Sequence, residues 1–277
     1  SPSEISNGTM TLTLTSTGNG NCLAVSDQVL ITFTESPIAN AGSDQVKCAN
    51  NAAITLNGSV TGATGGQWSG GLGIYSPNAN TLNAVYTPTA QEITNGVTLT
   101  LTTTGNGTCN AVNDQMSVVF TPAPTADAGI DLTVCANNST ANLNGSITVA
   151  SGGTWSGGLG TFAPSANVLN ATYTPSASEI ASGMVTLTLT TTGNGTCNAV
   201  NDQVQINITP APVVNAGSNQ TACFNNPTVA LSGIVQNAGG GVWSGGSGVF
   251  NPSNTSLNAT YTPTAAELAS GTVNLTL

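Results

Sequence analysis

The chain repeats itself, and that repeat limits what it can fold into more than any other feature of its sequence. Trp68, Trp155 and Trp243 step by 87 and then 88 residues, as do Tyr86, Tyr173 and Tyr261, Cys22, Cys109 and Cys197, and Cys48, Cys135 and Cys223. Thr98–Gln115 and Thr186–Gln203 are identical over 18 positions, TLTLTTTGNGTCNAVNDQ. Self-similarity at a fixed period means a tandem array whose units are built alike. Proline-bearing joints recur at Glu35-Ser36-Pro37, Pro122-Ala123-Pro124 and Pro210-Ala211-Pro212, where proline stops a strand ladder from continuing. These joints divide the chain into the C-terminal part of a repeat (1–36), two complete repeats (37–123 and 124–211) and the N-terminal part of a further repeat (212–277). The array is expected to continue in both directions.

Inside a repeat, apolar residues alternate at period two. Ile54-Thr55-Leu56 opens one strand, and Gly65-Gly66-Gln67-Trp68-Ser69-Gly70-Gly71 brackets another. Leu82, Ala84 and Tyr86 share one face of a third, and Val97, Leu99 and Leu101 alternate with Thr in a fourth. The Gly105-Asn106-Gly107 turn then reverses the chain into a fifth carrying Met116, Val118 and Phe120. One helical turn interrupts this pattern. Thr89-Ala90-Gln91-Glu92, Ser176-Ala177-Ser178-Glu179, Thr264-Ala265-Ala266-Glu267 and Ser1-Pro2-Ser3-Glu4 spell a capping box, and Gly96, Gly183 and Gly271 stand where a left-handed C-terminal cap belongs. The acid of each box therefore has a structural task. About seven short strands in under ninety residues, with regular turn signals, describe an all-β chain of tandem immunoglobulin-like β-sandwiches. A barrel is the alternative.

Several of these segments resemble a known module. Asn40-Ala41-Gly42-Ser43-Asp44-Gln45 leading to Cys48, Leu56-Asn57-Gly58-Ser59, Trp68-Ser69-Gly70-Gly71, and Tyr86-Thr87-Pro88-Thr89-Ala90 running on to Glu92-Ile93 are similar to the PKD-like or Ig-like repeats of very large Bacteroidota surface proteins. The resemblance implies export by type IX secretion and, for some members, a place in SprB-type gliding-motility adhesins. The Trp-Asp-Phe-Gly-Asp-Gly of PKD domains is replaced here by Trp68-Ser69-Gly70-Gly71, so the PKD likeness holds at the ends of the repeat and fails in its middle. The Asp-Ser/Thr pair used for O-glycosylation in that phylum is also absent.

Composition removes most chemistries. One Lys (Lys47), no Arg, no His and 11 acids give a formal charge of −10. Neutralising phosphates needs clustered cations, so nucleic acid and anionic membranes are excluded as partners. Without His the chain lacks the usual general base, zinc ligand and triad member. No catalytic, cofactor-binding or metal residue is singled out, and the chain reads as a non-enzyme. Calcium needs several carboxylates in one loop. Each repeat offers Asp114 or Asp202 alone, and Asp44 becomes Asn219 in the last repeat, so the acids read as solubilising. The sequons at Asn57, Asn106, Asn144, Asn170, Asn194 and Asn258 are weak signals in a chain this rich in Asn and Thr.

Six cysteines in periodic pairs without a Cys-x-x-Cys point to structural disulfides in an oxidising compartment. Their pairing stays open among three schemes. The intradomain one joins Cys48 to Cys109 and Cys135 to Cys197, and it is preferred on the view that the first strand can sit differently from its immunoglobulin counterpart. A staple between domains joins Cys48 to Cys197 and sends the other cysteines to partners elsewhere. A joint scheme links Cys22 with Cys48, Cys109 with Cys135 and Cys197 with Cys223. Trp68, Trp155 and Trp243 are expected in the core, as the single strand-C Trp of an Ig-like fold is; the alternative is an exposed platform that stacks on sugar rings.

The function expected is a structural stalk or filament segment of a giant secreted cell-surface adhesin, extending a binding tip and bearing load. At about 3.3 Å per strand residue, each sandwich spans ~35–40 Å and the whole chain on the order of 120 Å. Expected partners are neighbouring repeats, like chains in a bundle or fibre, and a surface polysaccharide or substratum reached through other parts of the protein. The alternatives are a carbohydrate-binding repeat of a polysaccharide-acting protein and a protomer of a self-assembling extracellular fibre.

Overall fold

The computed structural model describes residues 7–277. The capping box at Ser1-Pro2-Ser3-Glu4 lies outside the described residues. The chain separates into two compact units. One is Ser1–Thr125 with Ile147–Gly152 and Thr191–Val200, and the other is Ala126–Ser146 with Gly153–Thr190 and Asn201–Leu277.

The first unit opens on an antiparallel hairpin, β1 (Thr9–Thr15) and β2 (Ser26–Thr32), in which Leu12 faces Val29 and Leu14 faces Asp27. The second repeat follows with β3 (Ile38–Asn40), β4 (Gln45–Cys48), β5 (Ile54–Thr55), β6 (Ser59–Thr61), β7 (Gly65–Ser69), β8 (Ile74–Ser76), β9 (Val85–Thr87), the helical turn α1 (Ala90–Asn95), β10 (Val97–Thr104) and β11 (Asn113–Thr121). One sheet is ordered β4-β11-β10-β7; facing it are β5-β9-β8 and the pair β3-β6. The first strand divides between the two layers. β3 pairs with β6, the chain bends at Gly42 (φ +88), and β4 crosses over to run parallel to β11, with Val46 opposite Val119.

Two acids hold that crossing. Asp114 Oδ2 accepts the Ala41 N–H at 2.8 Å, and Asp44 Oδ1 accepts the Ser117 N–H at 2.7 Å. Asp202 and Asp131 do the same for Ala128 and Gln205. The expectation that these acids only solubilise strand ends is corrected here: each spends an oxygen on a backbone donor that the strand switch leaves without a ladder partner.

The core between the layers is Ile54, Leu56, Trp68, Ala84, Tyr86, Leu99, Leu101, Met116 and Val118, all at most 2% exposed. Alternation predicts the inward set because neighbouring strand residues face opposite sides. The third repeat forms the same elements: β12 (Thr125–Asp127), β13 (Leu132–Cys135), β14 (Ala141–Asn142), β15 (Ser146–Thr148), β16 (Gly152–Ser156), β17 (Thr161–Ala163), β18 (Thr172–Thr174), α2 (Ala177–Ser182), β19 (Met184–Thr192) and β20 (Asn201–Thr209). Val204 and Ile206 take the core places of Met116 and Val118. The fourth repeat contributes β21 (Val213–Asn215), β22 (Val229–Ala230), β23 (Ile234–Gln236), β24 (Val249–Asn251), β25 (Thr260–Thr262) and α3 (Ala265–Ser270). Its buried cluster is only Leu231, Trp243 and Tyr261.

The count of strands exceeds the seven expected because short apolar pairs such as Ile38-Ala39 and Ile74-Tyr75 form ladders of two or three residues. The helical turns stand where the capping boxes place them, with Thr89, Ser176 and Thr264 as N-caps. Gly183 and Gly271 adopt the left-handed cap, whereas Gly96 has φ 82 and ψ 168. The second repeat lacks the residue that Met184 and Thr272 insert after this glycine, and Gly96 takes an extended ψ in its place.

Candidate functional site: a clamp between repeats

The aromatic residues singled out by the repeat are buried. Trp68, Trp155 and Trp243 are each 2% exposed, and their ring N–H groups donate to the carbonyls of Leu82, Leu169 and Leu257 at 3.0, 3.0 and 3.2 Å. None offers an indole face to a sugar ring. Tyr86 packs on Tyr75 with ring centroids 4.7 Å apart, and the Phe162–Tyr173 and Phe250–Tyr261 pairs repeat this at 4.8 Å.

Around the helical turn the buried polar groups satisfy one another. The Tyr86 hydroxyl donates to Glu92 Oε1 at 2.7 Å and accepts the Gly73 N–H at 2.8 Å. Leu72 N donates to the same carboxylate oxygen at 2.7 Å, and Thr89 N to the other at 2.7 Å. Burial alone would raise the Glu92 pKa, but the donors from Thr89, Tyr86 and Leu72 outweigh it and hold the carboxyl below its usual value. The opposite holds for tyrosine: burial first, then the Glu179 carboxylate, push Tyr173 up to about 12. Gly71 (φ +72) must be glycine here, because a Cβ would overlap the Tyr86 hydroxyl. This gives Trp68-Ser69-Gly70-Gly71 a mechanical meaning. Asn106 and Asn194 spend their amide N–H on Thr103 O and Thr191 O at 3.2 and 3.1 Å, which ties down both side chains at the turn.

The one disulfide among the described residues joins Cys48 to Cys197 across 149 residues. The preferred intradomain pairing is thereby corrected. Cys48 ends β4 at one end of its sandwich and Cys109 lies in the β10–β11 loop at the other, so they stand too far apart to bond. Cys22, Cys109, Cys135 and Cys223 are unbonded.

Around this bond a set of hydrogen bonds forms that the sequence reading missed. Asn50 Nδ2 donates to Asn198 O at 3.0 Å while Asn198 N donates to Asn50 Oδ1 at 3.0 Å. Asn198 Nδ2 donates to Asn50 O at 2.9 Å, and Asn51 Nδ2 to Thr196 O at 3.0 Å. The turn that presents Asn50 and Asn51 is closed by the Cys48–Asn51 bridge. Both bonded sulfurs lie 3.8 Å from the Pro122 carbonyl at the joint. The clamp thus consists of a Cys-x-Asn-Asn turn and a Thr-Cys-Asn loop. The signal was present in the period: Cys-x-Asn-Asn recurs at 48–51, 135–138 and 223–226, and Thr-Cys-Asn at 108–110 and 196–198.

Among the described residues no three His, Cys, Asp or Glu side chains gather as a metal site, and no helix is long and apolar enough to cross a membrane.

No family model matches the chain, and no curated protein matches it. Solved structures similar to it are tandem β-domain proteins. Protocadherin gamma B2 extracellular cadherin domains 3–6 are 12% identical, with 95% of this chain and 76% of that one covered, at a TM-score of 0.33. Mouse cadherin-23 EC22–24 is 13% identical, with 82% and 88% covered, at 0.39. Sidekick-1 immunoglobulin domains 1–5 are 12% identical, with 83% and 53% covered, at 0.33.

Proposed function

We propose that this chain is a stretch of an extracellular adhesion stalk, of the kind found in large Bacteroidota surface adhesins, in which disulfide clamps carry tension past the folded repeats. The observation that carries the reading is the Cys48–Cys197 bond. Because it closes the loop between those residues, force applied at the two ends of the chain runs through the sulfur bridge, and residues 49–196 are taken out of the load path. The strands from β5 to β19 are then spared a pull that would unravel an unclamped sandwich, while β4 and β20 on either side of the bond stay under load. The asparagine bonds at the clamp hold the loop in register for the disulfide to form. A carbohydrate-binding module has less support, since its indoles are covered.

Single-molecule stretching of the chain between its termini tests this. Under oxidising conditions the extension should lack roughly 500 Å of contour, the extended length of the 149-residue separation. Reductant should restore it. Equal contour lengths with and without reductant would overturn the proposal.

A further inference from the structure

The first strand of each repeat carries a bend that a lengthwise pull works to straighten. Asn40, Asp127 and Asn215 accept the N–H of Gly42, Gly129 and Gly217 on a side-chain oxygen at 2.8, 2.9 and 2.8 Å, and the three glycines have φ of +88, +84 and +84. Beyond the bend β4 lies parallel to β11, from Gln45 opposite Val118 to Cys48 opposite Thr121. β13 lies parallel to β20 in the same way, from Leu132 opposite Ile206 to Cys135 opposite Thr209. Parallel neighbours at the two ends of a repeat are sheared when its ends are pulled apart. The start of β4 and the end of β11 move in opposite directions along the ladder, so its bonds load together and do not open one at a time.

A ladder this short is a weak fastening by itself, and the crossing acids extend it. The Ala41 N–H on Asp114 lies before the bend and Asp44, holding the Ser117 N–H, lies after it, so both sides of the bend are tied to β11. Asp202 and Asp131 tie the third-repeat bend to β20 through Ala128 and Gln205. Ala41 and Ala128 are each 1% exposed, which leaves their N–H groups no water to turn to if the acid lets go. Asp114 and Asp202 are half-buried while Asp44 and Asp131 are exposed, so the bonds of the first two are less screened and stronger.

We propose that these four aspartates are shear latches, which keep a strand under tension seated in its sandwich, with Asp114 and Asp202 supplying most of the resistance. The inference rests on the tension-bearing reading above and names the groups that resist. With the Cys48–Cys197 bond closed, load runs through β3 and β4 to the sulfur bridge and leaves through β20. Ala41 and Asp44 then lie on the loaded segment and Asp114 and Ser117 off it; Asp202 and Gln205 lie on it and Ala128 and Asp131 off it. Every latch thus joins a loaded strand to an unloaded neighbour, at the two places that the disulfide leaves under load.

The test stretches the 277-residue chain in reductant, where each complete repeat should unfold as its own event of about 300 Å of contour. At a fixed force Asp114→Ala should raise the unfolding rate of one event about tenfold and leave the other in place, and Asp202→Ala should do the reverse. Asp114→Asn keeps an acceptor without the charge and should give about threefold, which keeps the latch measurable where the alanine variant does not fold. Glu92→Gln separates a latch from a bond that only stabilises. Its carboxylate holds Tyr86, Leu72 and Thr89, none of them on β4 or β11. Its denaturant midpoint should therefore fall at least as far as that of Asp114→Asn, while its rate under force rises less than about twofold. Equal acceleration by Asp114→Asn and Glu92→Gln, or an unchanged rate for Asp114→Ala, would overturn the proposal. Equal contour lengths in oxidised and reduced chains would remove the clamp reading alone, since the latch rates are measured with that bond open.

Discussion

β2 and β20 carry nearly the same residues and live in opposite surroundings. Ser26-Asp27-Gln28-Val29 and Asn201-Asp202-Gln203-Val204 each start a strand antiparallel to a Thr/Leu partner, in the same register. Val204 is 1% exposed and Val29 is 56% exposed. Pattern and ladder are equal, so the difference lies in the opposing layer: β20 has the sheet β14-β18-β17 with its buried Tyr173 across from it, and β2 has no such layer among the described residues. Alternation determines which face of a strand is available for burial; a second sheet determines whether burial happens.

The sharpest way to break the comparison is to hollow out the packed core that β20 lines and β2 does not. Trp155→Ala should cost about 3–5 kcal/mol of third-repeat stability, since the cavity left by an indole in a packed core is expensive. Val29→Ala should change stability by less than about 0.5 kcal/mol, as surface substitutions do. Denaturant titration of each variant checks both, and similar losses would mean that β2 is as well supported as β20.

Next in size is the clamp. Cys48→Ser should cost about 2–4 kcal/mol, because the bond closes a long loop of the unfolded chain. Hydrogen exchange should rise in residues 191–200, which the bond ties to the turn at Asn50, and stay unchanged in β10 and β11. Uniform exchange across both regions would remove the clamp as a local device.

The carboxylate network comes third. Glu92→Gln loses charge-assisted bonds from Tyr86, Leu72 and Thr89 and should cost about 1.5–3 kcal/mol. Its pH dependence has a definite sign. Glu92 and Glu179 are held below their usual values, and Glu267 is drawn down to about 2 first by the Thr264 N–H and then by that of Ser247. A carboxyl with a depressed folded value stabilises fully above its unfolded value near 4.5, and that stability is lost as pH falls toward the folded one. The melting temperature should therefore drop between about pH 4.5 and pH 2, and combined Glu→Gln substitution at 92, 179 and 267 should flatten that fall. Glu267, half-buried where Glu92 and Glu179 are buried, contributes least, because solvent screens its bonds more.

Much of this was legible because duplication prints each constraint several times. The capping boxes at Thr89, Ser176 and Thr264 specify their helical turns from four residues, and the Leu99, Leu101 and Trp68 core follows from period-two alternation. The split first strand was not legible. It depends on Gly42 turning the chain and on Asp44 and Asp114 catching backbone donors more than seventy residues away, and neither leaves a local signature. The clamp lay between: Cys48 and Cys197 were candidates, but their bonding is decided by how one repeat meets the next, a distance no single repeat encodes. Asn50, Asn51 and Asn198 were hidden by the abundance of Asn elsewhere.

The smallest effect separates the backbone of the clamp from its side chains. Position 198 is Asn in the third repeat and Asn110 matches it in the second, but Leu23 stands there in the first hairpin. Three of the four clamp bonds use only the backbone of this loop, accepting at Asn198 O and Thr196 O and donating from Asn198 N. Only the Asn198 Nδ2 bond to Asn50 O depends on the side chain. Asn198→Leu should thus cost about 0.5–1 kcal/mol, the net worth of one exposed hydrogen bond, and leave the rate of Cys48–Cys197 formation within about twofold of the original. A rate falling as far as it does for Asn50→Ala, which removes two bonds on the opposite turn, would place the recognition in the side chain and make Leu23 a poor fit to any such turn. The expected asymmetry instead leaves the asparagines of the Cys-x-Asn-Asn turn as the specific half of the clamp, and the loop that enters it as tolerant of substitution at the residue after its cysteine.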